Sequence, residues 1–103
     1  MTSKIWERVK ALEGKTLRTV SRGHLFDITK VDDEVIHYDP QGTKRPGSHS
    51  SYRTTFEQLA ALNLKPTEWS LQRIKETVPQ SEAFCASYIF AILCEIGVAR
   101  PTI

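Results

Sequence analysis

The chain has 103 residues, 40% of them apolar and 25% charged, with a formal net charge of +2. Those values suit one globular domain that buries a core without disulfides or metals, and they exclude collagenous, low-complexity and strongly charged disordered chains. A single domain over residues 1–103 is therefore expected. The charge is uneven: residues 1–23 carry a net +4, residues 27–39 a net −4, residues 41–56 a net +3 and residues 57–103 a net −1. A nearly neutral total can hide a basic face.

In chain order, "SKIWERVKALE" at 3–13 places Ile5, Val9 and Leu12 on one helical face, with Ser3 as a cap and Gly14 as a stop. "KTLRTVSRG" and "HLFDITKV" predict two strands around a turn at Ser21-Arg22-Gly23, with Gly23 supplying a positive φ. Phe26 and Ile28 alternate with Asp27 and Thr29, and "DDEVIHYD" adds a third strand to an antiparallel meander. The polar stretch "QGTKRPGSHSSYR" at 41–53 follows. Pro46 removes a ladder donor there, so Thr43–Lys44–Arg45 is at most a short edge strand.

From Ser51 the pattern turns helical, with a stripe of Tyr52, Phe56, Leu59 and Ala60 ending near Asn63. "SLQRIKETV" predicts a short helix from a Ser70 cap to Pro79. "SEAFCASYIFAILCEI" predicts one long helix from a Ser81 cap to a Gly97 stop, after which "VARPTI" can return as an edge strand. The expected fold is α+β: an N-terminal helix, a small antiparallel three- to four-stranded sheet and three C-terminal helices.

Cys85 and Cys94 stand nine residues apart, on opposite faces of a helix, so they are not expected to pair. Free thiols, an N-terminus without an apolar leader and the lack of a long apolar run together predict a cytoplasmic protein with no membrane association. His24, His37 and His49 show no metal-ligand spacing. His37 and Asp39 share a strand face and can converge with His49, but ordinary surface residues are the expected outcome. No P-loop or catalytic constellation stands out, so no enzyme activity, metal or cofactor is expected.

Two regions remain as binding candidates. The helix over 81–96 has the position of a recognition helix but no basic side chain, which excludes it from reading DNA. Its apolarity on nearly every side marks a core helix or a homodimer interface, with Phe90, Ala86 and Ala83 as the interface residues. The other candidate is the 41–53 loop. Lys44, Arg45 and Arg53, with His49 and with Arg18 and Arg22 from the first hairpin, are the expected contacts to a nucleic-acid backbone. Amides at the start of the following helix favour an anion at the same place.

Gly14-Lys15-Thr16-Leu17-Arg18-Thr19, Phe56-Glu57 and Ser87-Tyr88-Ile89-Phe90-Ala91-Ile92-Leu93 carry a resemblance. Over residues 11–98 the chain resembles a small α+β module that accompanies HNH and restriction-type endonucleases and some helicases. The resemblance implies association with DNA-processing, defence or mobile-element systems, with DNA as the partner. The loop departs from that module's Ile-Ser/Pro-Arg pattern, reading Pro46-Gly47-Ser48-His49.

Overall fold

The computed structural model describes residues 4–20, 22–41 and 49–100, and of Phe84 the backbone alone. Helix α1 (Lys4–Lys10) buries Trp6 and Val9. Its exit turn is pinned to the sheet, because the Gly14 amide donates to the Ile28 carbonyl at 2.8 Å. Strands β1 (Thr16–Arg18), β2 (Leu25–Val31), β3 (Val35–Pro40) and β4 (His49–Tyr52) form one antiparallel sheet in the order β1-β2-β3-β4. Helices α2 (Arg53–Ala60), α3 (Leu71–Thr77) and α4 (Ala86–Glu95) follow. The α+β architecture expected from the sequence is the one observed.

The β1–β2 turn closes as its residues require. Gly23 has φ +67°, and Thr19 holds the turn by accepting the His24 amide on its hydroxyl at 2.9 Å. Ser70 caps α3, its hydroxyl accepting the Arg73 amide at 3.2 Å. Gly97 (φ +83°) ends α4 and lets the Val98 amide turn back to the Leu93 carbonyl at 2.9 Å.

Three elements differ from expectation. Residues 49–52 form β4 rather than loop and helix start, and α2 begins at Arg53. The strand exists because Ile36 and Tyr38 offer an edge: Ser51 pairs with Ile36, and its buried hydroxyl meets the Tyr38 hydroxyl at 3.0 Å. Tyr52 accordingly leaves the expected helix stripe and stands exposed. The helix expected from Ser81 is split into a 3₁₀ segment over Gln80–Cys85 and α4, so Ser81 caps nothing. The tighter segment carries Glu82 into the interior. Finally, Val98–Arg100 is not a strand, and the Arg100 amide donates to the Pro66 carbonyl instead. Ser3 and Thr43–Arg45, named above as a cap and an edge strand, lie outside the described residues.

The core lies between one sheet face and the helices. Leu17, Phe26, Ile28, Ile36 and Tyr38 point inward from the strands to meet Ile89, Phe90, Ile92 and Leu93 of α4. Val9, Phe56, Leu59 and Ile74 close it from α1, α2 and α3. Each fully buried side chain of this kind contributes about 1.5–3 kcal/mol.

The opposite sheet face is polar. Asp27 and Asp39 are direct cross-strand partners there. Asp27 accepts hydrogen bonds from the Thr16 hydroxyl and from Gln41 Nε2. Like charges facing each other across a ladder oppose pairing. Asp39→Thr is therefore expected to stabilise the fold by about 0.2–1 kcal/mol, seen as a higher urea midpoint at unchanged m-value.

Candidate nucleic-acid interface

The sheet has two dissimilar ends. At one, the β1–β2 turn presents Arg18 and Arg22, both exposed. Arg18 ends β1, and its aliphatic stem lies across the turn, its Cδ 3.6 Å from where a Cβ on Gly23 would sit. A Cβ at position 23 would meet that stem at ordinary contact distance, so the cost of a side chain there comes from the positive φ. β3 ends at the same place, with the Gln41 amide bonded to the Leu25 carbonyl at 2.9 Å, and β4 starts there with His49 opposite Tyr38. Both flanks of the 42–48 stretch therefore sit beside the hairpin turn. Lys44 and Arg45 belong to that stretch and lie outside the described residues.

A partly enclosed hollow of about 310 Å³ opens at this end, between the hairpin turn, α3 and the start of α4. Arg22 and His24 line it from the turn, Lys75 from α3, and the hydroxyl-bearing Thr19, Ser87 and Tyr88 from the turn and α4. Among the described residues, no Asp or Glu lines it. Its space comes from small residues: Ala83 and Ala86 form part of its wall where larger side chains would fill it. Burial, with Cys85 nearby, pushes the Tyr88 phenol above its ordinary pKa, which keeps its proton available for donation. The Tyr88 ring is fixed by Phe26, edge-on at 5.1 Å, and by His49, stacked at 5.6 Å. His49 thus belongs to the same corner as Arg22, through an aromatic cluster.

Arg53 does not. It lies four positions beyond His49, roughly 13 Å along the strand at the usual rise. Its amide donates to the Glu34 carbonyl at 2.7 Å, at the far end of the sheet. Its guanidinium bonds Glu57 Oε1 at 2.8 Å and the Asp33 carbonyl at 3.3 Å. That end is a tied mixture of charges. The Lys10 ammonium bonds the Asp33 carboxylate, which raises the Lys10 pKa and holds Asp33 below its usual value. Asp32 is lowered as well, because its carboxylate accepts the Glu34 and Val35 amides.

The start of α2, expected to attract an external anion, already holds an internal partner. Glu82 is 4% exposed. One of its oxygens accepts the Tyr52 amide at 3.2 Å, and the other accepts the Thr55 hydroxyl. The helix read as either a core helix or a homodimer interface is packed into the core. Phe90 and Ala86 are 3% and 1% exposed and present no surface to a second copy, while Ala83 is half-buried at the hollow.

No protein-family model, curated protein or solved structure matches the chain. Its own geometry carries the functional argument. Residues 14–19 of the quoted resemblance form the turn and strand β1, Phe56-Glu57 lies in α2, and residues 87–93 lie in α4.

Cys85 is raised by burial, with Glu82 adding to it against a lowering hydrogen bond from Tyr38; burial alone pushes Cys94 up to about 11. Protonated thiols of this kind are poor nucleophiles. His37 Nδ1 bonds the Ser50 hydroxyl at 3.1 Å. Among the described residues, no group of three or more His, Cys, Asp or Glu is placed to hold a metal, and no helix is long and apolar enough to cross a membrane.

His24 and Lys75 are the basic lining residues that the sequence reading did not include among the expected contacts. Lys75 sits in a segment of mixed charge and looks like any exposed helix lysine. Nothing local connects it to a hairpin fifty residues earlier.

Proposed function

We propose that the protein is a non-catalytic module that binds nucleic acid through phosphate-backbone contacts at the hairpin end of the sheet. Arg18, Arg22, His24 and Lys75 form the described part of the contact surface. Lys44 and Arg45, expected from the sequence as further backbone contacts, lie outside the described residues. The carrying observation is the hollow itself: Arg22, His24, Lys75 and three hydroxyls line it, with no acidic side chain among the described residues. Such groups position a phosphate backbone without reading sequence. Association with DNA-processing, defence or mobile-element systems is proposed on the resemblance over residues 11–98.

Fluorescence anisotropy of the protein with duplex and single-stranded DNA, titrated at low and high salt, tests this reading. Affinity is expected to fall steeply as salt rises. Arg22→Glu/Lys75→Glu is expected to weaken low-salt binding at least about tenfold, because two phosphate contacts turn repulsive. Arg53→Glu serves as the comparison and is expected to change it little. Absent binding at low salt, or equal binding by the charge-reversed variant, would defeat the proposal.

A further inference from the structure

The shape of the hollow says more than its charge. A strand running past a surface needs an open, extended track. Here the cations meet at a partly enclosed recess lined by the hairpin turn, α3 and the start of α4. Its volume of about 310 Å³ lies at the low end of small-ligand sites. That space takes one phosphorylated end of a strand and is far too small for a duplex.

The donors fit such an end. A backbone diester carries one negative charge. A terminal phosphomonoester carries nearly two at neutral pH and offers three strong acceptor oxygens. The recess supplies Arg22 with its planar fork and Lys75 as a point charge. Thr19 Oγ1 already accepts the His24 amide, which leaves its own proton to donate. Ser87 and Tyr88 add two further hydroxyls from α4. Leu71, Ala83 and Ala86 supply the apolar portion of the wall, suited to the sugar that carries the phosphate.

We propose that the recess between the hairpin turn, α3 and α4 recognises the terminal phosphomonoester of a nucleic-acid strand, held by Arg22 and Lys75 and oriented by the hydroxyls of Thr19, Ser87 and Tyr88. This rests on the nucleic-acid reading above and narrows it from backbone to end.

Three internally labelled oligonucleotides of one sequence separate the two claims: one with a 5′-phosphate, one with a 3′-phosphate and one with neither. Anisotropy titrations at low salt are expected to show one phosphorylated form binding about tenfold tighter than the unphosphorylated strand, the effect of one added charge-assisted contact. Ala83→Leu, which fills the recess, and Lys75→Gln, which removes a cation without adding bulk, are each expected to erase most of that preference. Circular dichroism establishes that each variant is folded. Equal affinity for all three oligonucleotides overturns the end-recognition proposal and leaves backbone binding standing. A preference that survives in folded Ala83→Leu and Lys75→Gln also overturns it, because the phosphate is then held elsewhere. Failure of all three to bind at low salt overturns the nucleic-acid reading itself.

Discussion

Glu82→Ala is expected to destabilise the protein by about 2–4 kcal/mol, since it strands two donors that the native fold satisfies. The Tyr52 amide, at the entry to α2, and the Thr55 hydroxyl both donate to the Glu82 carboxyl group. Thr55 and Glu82 are 2% and 4% exposed, so water replaces the lost acceptor poorly. The change acts on a junction, because Glu82 ties the 3₁₀ segment to the point where β4 becomes α2. Glu82→Gln keeps one acceptor oxygen and most of the volume, and should lose less than half as much. Urea unfolding monitored by circular dichroism measures both. Amide exchange provides a local check: the Tyr52 amide should lose protection in Glu82→Ala before the strand pairs of β2 and β3 do. A cost near zero for Glu82→Ala would show that solvent reaches the α2 entry freely.

Glu82 also marks where the sequence stops being informative. Its position just after Pro79 reads as the acidic first turn of a helix, favoured by the helix dipole. In the fold it serves the start of a different helix, some thirty residues upstream. The same holds for β4. "HSSY" has no apolar alternation, and its strand character comes from β3 alongside it and from the Tyr38–Ser51 hydroxyl contact. Elements marked by their own punctuation were legible: the Gly23 turn, the Ser70 cap of α3 and the Gly97 stop are each local chemistry. So was the apolar face of 85–96, which the fold uses as its central core helix.

The candidate site divides along the same line. Composition concentrates attention on 41–53, yet a short strand inside that stretch sends His49 and Arg53 to opposite ends of the sheet. Arg18 and Arg22 lie where the hairpin puts them, and that much follows from the turn. The partners that give Arg22 a recess come from α3 and α4, and only tertiary packing brings residues 19–24, 71–75 and 83–88 together. The charge imbalance of the first 23 residues includes the two arginines of that hairpin. It carries no information about Lys75, which lines the same hollow from α3.

Trp6→Ala is expected to cost about 3–5 kcal/mol, the usual range for deleting a large buried aromatic. Against a typical total stability of roughly 5–15 kcal/mol this brings the fold near its limit. Trp6 is 2% exposed and joins three elements. It projects from α1, its ring centroid lies 5.8 Å from that of Phe56 in α2, and its indole N–H donates to the Asp32 carbonyl at 2.9 Å, at the β2–β3 turn. Trp69 is equally buried, but its indole N–H has no acceptor among the described residues. The two tryptophans therefore separate volume from hydrogen bonding. Trp6→Phe loses ring volume and leaves the Asp32 carbonyl without its donor, whereas Trp69→Phe loses volume while removing a buried N–H that was already unpaired. The Trp6 variant should be the more costly of the two by about 1–2 kcal/mol. Urea midpoints at matched m-values measure the difference, and equal costs would show that the bond from α1 to the β2–β3 turn adds nothing to stability.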